Sequence, residues 1–234
     1  MQLSIIIPVF KEQESIQDTL NSLAASCIPI SHEILVVDGE PSASTLAFLE
    51  SNPVFNQSIR MIRSAQGRGP QMNKGAKEAK GELLLFLHAD SRLNAAGMSQ
   101  MVTTWMSQQS KLFCGAFDLA IDSNRTAFRL IEKTASIRSR LTRIPYGDQG
   151  IFISRALFEK VGGYPNQPLM EDVGLMAAIK QIGIKPVFLD QKILTSARRW
   201  EKKGVVLTTL FNWFFITLYG LGVSPKRLSR WYYG

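Results

Sequence analysis

Apolar residues along the first half of this chain alternate between two rhythms. Leu3 to Val9 (LSIIIPV) is apolar at nearly every position, the pattern of a strand buried on both faces. Glu14 to Cys27 then carries Ile16, Leu20, Leu23 and Cys27 at helical spacing, so one face of a helix is apolar. Glu33 to Asp38 (EILVVD) is a second buried strand, and it ends in an acid. Thr45 to Leu49 predicts a short helix, Ile59 to Ile62 a short strand, and Pro70 to Ala79 a helix that Gly81 closes. Leu83 to Leu87 is an unbroken apolar run that stops at His88, Ala89 and Asp90, and Met98, Met101, Val102 and Trp105 mark the packing face of one more helix. Strand and helix in strict alternation predict an α/β fold, with a mostly parallel, Rossmann-like sheet and helices on both faces.

The second half is less regular. Gly115 to Ile121 and Gln149 to Ser154 read as strands, and Thr126 to Leu141 as a basic amphipathic helix. A loop with Gly162, Gly163, Pro165 and Pro168 ends at Met170-Glu171-Asp172, ahead of a helix with Leu175, Met176, Ile179 and Ile182 on one face. Gly204 to Val223 runs twenty residues without a charge between Lys202-Lys203 and Lys226-Arg227-Arg230. That length would just span a bilayer. Thr208, Thr209 and Asn212 fall along one side, however, which predicts a C-terminal amphipathic helical region packed on the domain or lying at the lipid interface. With 234 residues and neither an internal repeat nor a low-complexity linker, one large domain is expected.

Charge divides the chain in two. Residues 1–124 hold 9 Lys+Arg against 12 Asp+Glu, a balance of 9 − 12 = −3, whereas residues 125–234 hold 18 against 7, a balance of 18 − 7 = +11. The basic excess of the second half points to an anionic partner (nucleic acid, membrane phospholipid or a phosphorylated acceptor) or to a solvated basic surface. Arg125 to Arg143 alone carries Arg125, Arg129, Lys133, Arg138, Arg140 and Arg143 against Glu132. The two cysteines, Cys27 and Cys114, make neither a disulfide framework nor a metal-ligand spacing, so both are expected buried, in a reducing compartment. The opening MQLSIIIPV lacks the basic lead of a signal peptide, and a cytoplasmic protein is expected.

Candidate chemistry gathers where apolar runs end. His88 and Asp90 lie two residues apart at the end of a buried strand, so their side chains share one side, and an imidazole with a carboxylate there suits a divalent cation. Asp90 as a turn residue with Ser91 is the plainer alternative. Glu171-Asp172 at a helix start equally suits N-terminal capping. The run Gly67-Arg68-Gly69 begins like a dinucleotide fingerprint, but Met72 stands at its third glycine; glycines beside Arg68 and Lys74 can still approach a diphosphate.

Taken in order, SIIIPVFKE at 4–12, VVDG at 36–39, GRGPQMNKGA at 67–76, LLFLHAD at 84–90, MED at 170–172 and SARRW at 196–200 resemble the inverting family 2 glycosyltransferases of the GT-A fold. The similarity covers roughly residues 1–200, with 201–234 as a C-terminal helical extension, and the compact branch with HAD, PYGDQ and SARRW fits best. The resemblance implies transfer of a sugar from a nucleoside-diphosphate sugar to an acceptor hydroxyl, lipid-linked or otherwise, with Mg2+ or Mn2+ as cofactor. No nucleic-acid partner is expected, and the basic helix with the uncharged C-terminal run adds a peripheral position at the cytoplasmic face of the membrane to the cytoplasmic expectation. Pro8, Val9, Glu12, Asp38, Arg68, Arg199 and Trp200 would bind the donor, and Asp90 with His88 the metal. Asp172 would be the catalytic base, and Glu171, Gly147, Asp148 and Gln149 would support the loop or the acceptor. His88 stands where the family's DxD begins with an acid, and Ser196 where its QxxRW has glutamine. A nucleotidyltransferase or a non-catalytic nucleotide-sugar-binding protein on the same sheet are the rival readings.

Overall fold

The computed structural model describes residues 1–52 and 59–233, and the backbone alone at Arg199, Lys203, Val206 and Tyr233. In chain order the first half runs β1 (Leu3–Val9), α1 (Ile16–Ala25), β2 (His32–Asp38), α2 (Ser44–Glu50), β3 (Ile59–Arg63), α3 (Arg68–Glu78), β4 (Leu83–Phe86), β5 (Ser91–Arg92) and α4 (Ala95–Met106). The second half runs β6 (Cys114–Asp122), α5 (Thr126–Thr142), a 3-10 turn (Gly147–Gln149), β7 (Phe152–Ser154), α6 (Arg155–Lys160), α7 (Glu171–Gln181), β8 (Val187–Ser196), α8 (Arg198–Lys203), α9 (Val205–Gly220) and α10 (Pro225–Tyr233).

Among the described residues the strands form one sheet in the order β3-β2-β1-β4-β7-β6-β8-β5. The first four are parallel neighbours, as the alternation predicts. From β4 onward the pairing is mixed: β7 runs against both β4 and β6, β6 and β8 are parallel, and β5 is antiparallel to β8. The basic helix α5 lies along β6, and the chain reaches antiparallel β7 through the 3-10 turn.

Side-chain alternation along the strands divides the core. Leu3, Ile5, Ile7 and Val9 of β1 face a cluster with Ile16, Leu20 and Leu23 of α1 and Met98, Met101 and Val102 of α4. Ile6 of β1 and Leu84 and Phe86 of β4 face the opposite cluster, with Met72 and Ala76 of α3 and Leu175, Met176 and Ile179 of α7. On this second side α3 comes very close to the sheet: a Cβ at Gly75 would stand 2.5 Å from Ile6 Cγ2 and 3.0 Å from Val37 Cγ2. A smaller cluster of Leu119, Ile121, Phe128, Ala197 and Trp200 fills the space under α5 and α8.

Two expected core residues are exposed. Cys27 lies beyond the end of α1 in a left-handed conformation (φ 42°) and is exposed, whereas Cys114 is buried at the start of β6. Ile182 follows the last residue of α7 and is also exposed. At both positions the helix has ended, so helical spacing no longer says which way the side chain points.

The uncharged C-terminal run becomes α9, of 16 residues, a length of about 24 Å at 1.5 Å per residue against a hydrocarbon core of about 30 Å. Among the described residues no helix is long and apolar enough to cross a membrane. The helix turns its polar side inward: Thr208 is buried, while Leu207, Leu210, Trp213 and Phe214 are exposed. Phe215 is buried and meets the Tyr232 ring of α10 edge-on at 5.2 Å.

Candidate active site

Parallel β1, β2 and β4 end on the same edge of the sheet, the edge where open α/β sheets bind ligands. Val9 pairs with Asp38 across the ends of β1 and β2, and Ile6 pairs with Phe86, so β4 delivers His88 and Asp90 just beyond. The fully buried Asp38 turns its carboxylate into the following loop, where it accepts N–H bonds from Glu40 (2.8 Å) and Leu46 (3.4 Å). Burial pushes its pKa up in spite of these bonds. Gln71 Nε2 donates to the carbonyls of Val9 (2.7 Å) and Val37 (2.8 Å), tying the two strand ends to the start of α3.

Next to this edge opens a cleft of about 600 Å³. Arg68, His88, Asp90, Gly147, Asp148, Glu171, Asp172 and Trp200 all line it, so residues from five separate stretches meet there. Pro8, Val9, Glu12, Asp38 and Gln149 are not among its lining residues. The Arg199 side chain lies outside the described residues. Tyr146 of PYGDQ and Arg198 of SARRW, to which the motifs assign no role, line the cleft as well, and so does Lys202.

Asp90 occupies a turn closed by the bond from Ser91 N–H to the His88 carbonyl (3.1 Å), and its own carbonyl accepts from Ser196 N–H (3.2 Å). Helix capping is done elsewhere, since Asn94 accepts from Gly97 N–H at the start of α4. Burial and the charge of Glu12 raise the Asp90 pKa, against the pull of Arg198 and Arg68. Arg198 donates to Glu12 Oε2 at 3.0 Å, and that bond, with Asp90 and Glu14 nearby, raises its own pKa. Glu12 thereby acts on the cleft through Arg198. His88, pulled down to about 3 by burial and by Arg68, is a neutral imidazole at ordinary pH.

Opposite, Asp172 lies in the first turn of α7, behind Met170, whose φ of 62° makes the sharp entry. Its Oδ2 accepts from Gly147 N–H at 2.7 Å and its Oδ1 from Val173 N–H at 2.8 Å. A Cβ on Gly147 would stand 2.9 Å from His88 Nε2 and 3.5 Å from Asp172 Oδ2, so only glycine lets this turn fit between the two. Gln149 anchors the turn: its Oε1 accepts from Ser139 Oγ (2.6 Å) and Tyr146 N–H (3.2 Å), and its Nε2 donates to the Phe117 carbonyl (3.1 Å). Glu171 is buried beside Asp172, and burial with that second charge raises its pKa; Arg68 stands 3.7 Å away. Trp200 packs edge-on against Phe128, with ring centroids 6.0 Å apart.

Among the described residues no three His, Cys, Asp or Glu side chains converge as a ready-made metal cage. The set at hand is one carboxylate with a neutral imidazole, flanked by arginines. Magnesium-type sites are commonly completed by substrate phosphates and water around one or two carboxylates, so the set fits a cation that arrives with a diphosphate.

A cleft at the carboxyl edge of an α/β sheet in which acids and cations are interleaved defines an α/β protein with a charged pocket at its strand ends. The family model for "Glycosyl transferase family 2" matches residues 4–162, and the chain belongs to that family. It is 26% identical over 170 residues to the glycosyltransferase AglE of Haloferax volcanii, covering 70% of this chain and 56% of that protein. To the poly(ribitol-phosphate) beta-N-acetylglucosaminyltransferase TarS of Staphylococcus aureus it is 31% identical over 97 residues, 40% of this chain and 17% of that one. Among solved structures, residues 1–349 of S. aureus TarS in complex with UDP-GlcNAc superpose with a TM-score of 0.64 at 19% identity, over 84% of this chain and 58% of that. The mannosyltransferase PcManGT from Pyrobaculum calidifontis, in complex with GDP-Man and Mn2+, gives 0.63 at 18%, over 82% and 56%. The chain thus spans between about a sixth and just over half of these curated relatives.

Proposed function

We propose that the chain is an inverting, nucleotide-sugar-dependent glycosyltransferase. The observation that carries this reading is the placement of Asp172, held by Gly147, in the same cleft as Asp90, Arg68 and Arg198. Asp172 takes the proton from the acceptor hydroxyl as that oxygen bonds to the anomeric carbon. The bond from the anomeric carbon to the phosphate oxygen breaks on the opposite face, and its electron pair leaves with the nucleoside diphosphate. Arg68 and Arg198 face the charge that appears on the departing group. Asp90 and His88 would hold Mg2+ or Mn2+, which when bound supplies charge neutralisation at the diphosphate. Pro8, Val9 and Asp38 shape the strand ends toward the nucleoside, with Glu12 orienting Arg198. Gln149 and Glu171 position the turn and the helix start that carry Asp148 and Asp172.

One solved neighbour holds UDP-GlcNAc and another GDP-Man with Mn2+, so the donor panel spans both bases. Purified protein is incubated with UDP-, GDP- and dTDP-sugars, with Mn2+ or with EDTA, and release of nucleoside diphosphate is measured. Release from one donor class that falls with EDTA supports the reading. A chain that neither binds nor turns over any of them is a scaffold on this fold.

We also infer peripheral contact with a membrane surface from the cytoplasmic side. The outward apolar residues of α9 and the exposed Lys226, Arg227 and Arg230 of α10 support it, because an apolar face flanked by cations is what anionic lipid attracts.

A further inference from the structure

Beside the charged cleft runs a second cavity of about 880 Å³, bounded by α5, α7 and α9. Its wall is apolar: among the described residues lining it, Arg138 and Asp148 are the charged ones. Tyr146, Asp148, Val173, Trp200, Asn212 and Ile216 line both spaces, so the groove opens into the cleft next to the turn that holds Asp172. At that junction the Arg138 guanidinium lies over the Tyr146 ring, 3.2 Å from its centroid, and donates to the Ile144 carbonyl and Gln149. The cation is occupied with the wall rather than turned to a ligand. At the other end Ile137, Leu141 and Trp213 line the groove and are exposed, so it reaches the surface where α9 presents its apolar residues.

We propose that this groove takes the hydrocarbon body of an amphiphilic alcohol, the acceptor of the transfer reaction, with its hydroxyl-bearing head directed past Tyr146 and Asp148 to Asp172. The assignment rests on the glycosyl-transfer reading of the cleft. The volume is in the range of about 300–1,000 Å³ that holds a drug-sized ligand. A nucleotide would leave its phosphates without cations along an apolar wall. An alkyl chain would cover the exposed Ile137, Leu141 and Trp213, and each methylene it removed from water would tighten binding roughly fourfold. The continuity of groove and cleft sets the order of the acceptor: chain outside, hydroxyl inside.

The test uses n-decyl β-glucoside, below its micelle concentration, and methyl β-glucoside, with binding followed by the fluorescence of the tryptophans. The expected result is at least about tenfold tighter binding of the decyl compound, a fraction of what nine further methylenes could supply. That gain is lost in Ile137→Asp and in Ala177→Trp, which introduce a charge and a plug into the groove. Melting temperatures near wild type show that each variant folds, and Ile137 is already half exposed, so at least that variant is expected to fold. A gain under tenfold, or a gain that survives both substitutions, overturns the proposal. So does a protein that runs as a dimer until the groove is altered, since a second copy would then be the occupant. UDP, GDP and dTDP titrations on the wild type separate the two readings: nucleotide binding without the alkyl gain leaves transfer standing and removes the groove, and the alkyl gain without nucleotide binding does the reverse.

Discussion

At the scale of residues, the cleft works through a few short distances. Asp172 is held by the Gly147 N–H at 2.7 Å, which aims its carboxylate. Asp172→Asn keeps the shape but cannot accept a proton, so kcat is expected to fall about 100-fold or more with donor Kd little changed. Loss of donor binding and turnover together would make Asp172 a structural acid. Asp90→Asn is expected to lose most turnover and its dependence on Mn2+, with the melting temperature retained. His88 carries a pH prediction. Folded, it stays neutral down to about 3, whereas in the unfolded chain it takes a proton near 6.5. Between those values the unfolded state binds more protons, so stability contributed by His88 is complete above about 6.5 and is lost as pH falls toward 3. Urea midpoints measured from pH 7 to pH 4 are expected to fall less steeply in His88→Gln than in wild type. An equal slope would place the imidazole in water.

Motif position alone brings His88, Asp90, Gly147 and Asp172 to notice. Arg198 is harder to see, because its bond to Glu12 joins the SARRW motif to the loop after β1 at the other end of the sequence. Tyr146 and Arg138 are also hidden, since their stacking joins a loop to a helix. A basic helix read as a charged surface in fact buries much of Arg138, whose pKa burial depresses.

At the scale of elements, α3 shows how a helix can be placed by a missing side chain. Gly75→Ala would put a methyl group 2.5 Å from Ile6 Cγ2 and 3.0 Å from Val37 Cγ2, two buried residues of β1 and β2. Overpacking of this kind costs about 1–3 kcal/mol, more than the roughly 1 kcal/mol that alanine gains in helix propensity. A lower urea midpoint at unchanged slope checks it; an unchanged midpoint would show that α3 can lift off the sheet without penalty. The same helix holds Gln71 against the Val9 and Val37 carbonyls, so lifting it would also disturb the edge of the cleft. Helical spacing foretells α1 and α4 well, because their stripes face the sheet along the whole helix. It fails at Cys27 and Ile182, beyond the helix ends.

At the scale of the whole molecule, the charge division between −3 and +11 matters together with where α9 faces. The outward Leu207, Leu210, Trp213 and Phe214 and the cations of α10 lie in one C-terminal region. Flotation with anionic liposomes is expected to carry the protein at low salt and release it at high salt, each surface Lys or Arg contributing about 1 kcal/mol. Trp213→Ser with Phe214→Ser is expected to weaken that binding at low salt. No flotation at low salt would leave α9 as a packed helix.

The order of apolar runs by itself determined an α/β sheet with β1, β2, β3 and β4 in parallel, and which strand ends carry acids, because periodicity is a property of each segment's own residues. Tertiary structure alone decided that β7 enters between β4 and β6, that Gly147 reaches Asp172 twenty-five residues on, and that Arg198 faces Asp90. It also decided that the polar side of α9 turns inward and its apolar side outward. These are outcomes of strand order and of packing summed over distant segments, and no local pattern encodes them.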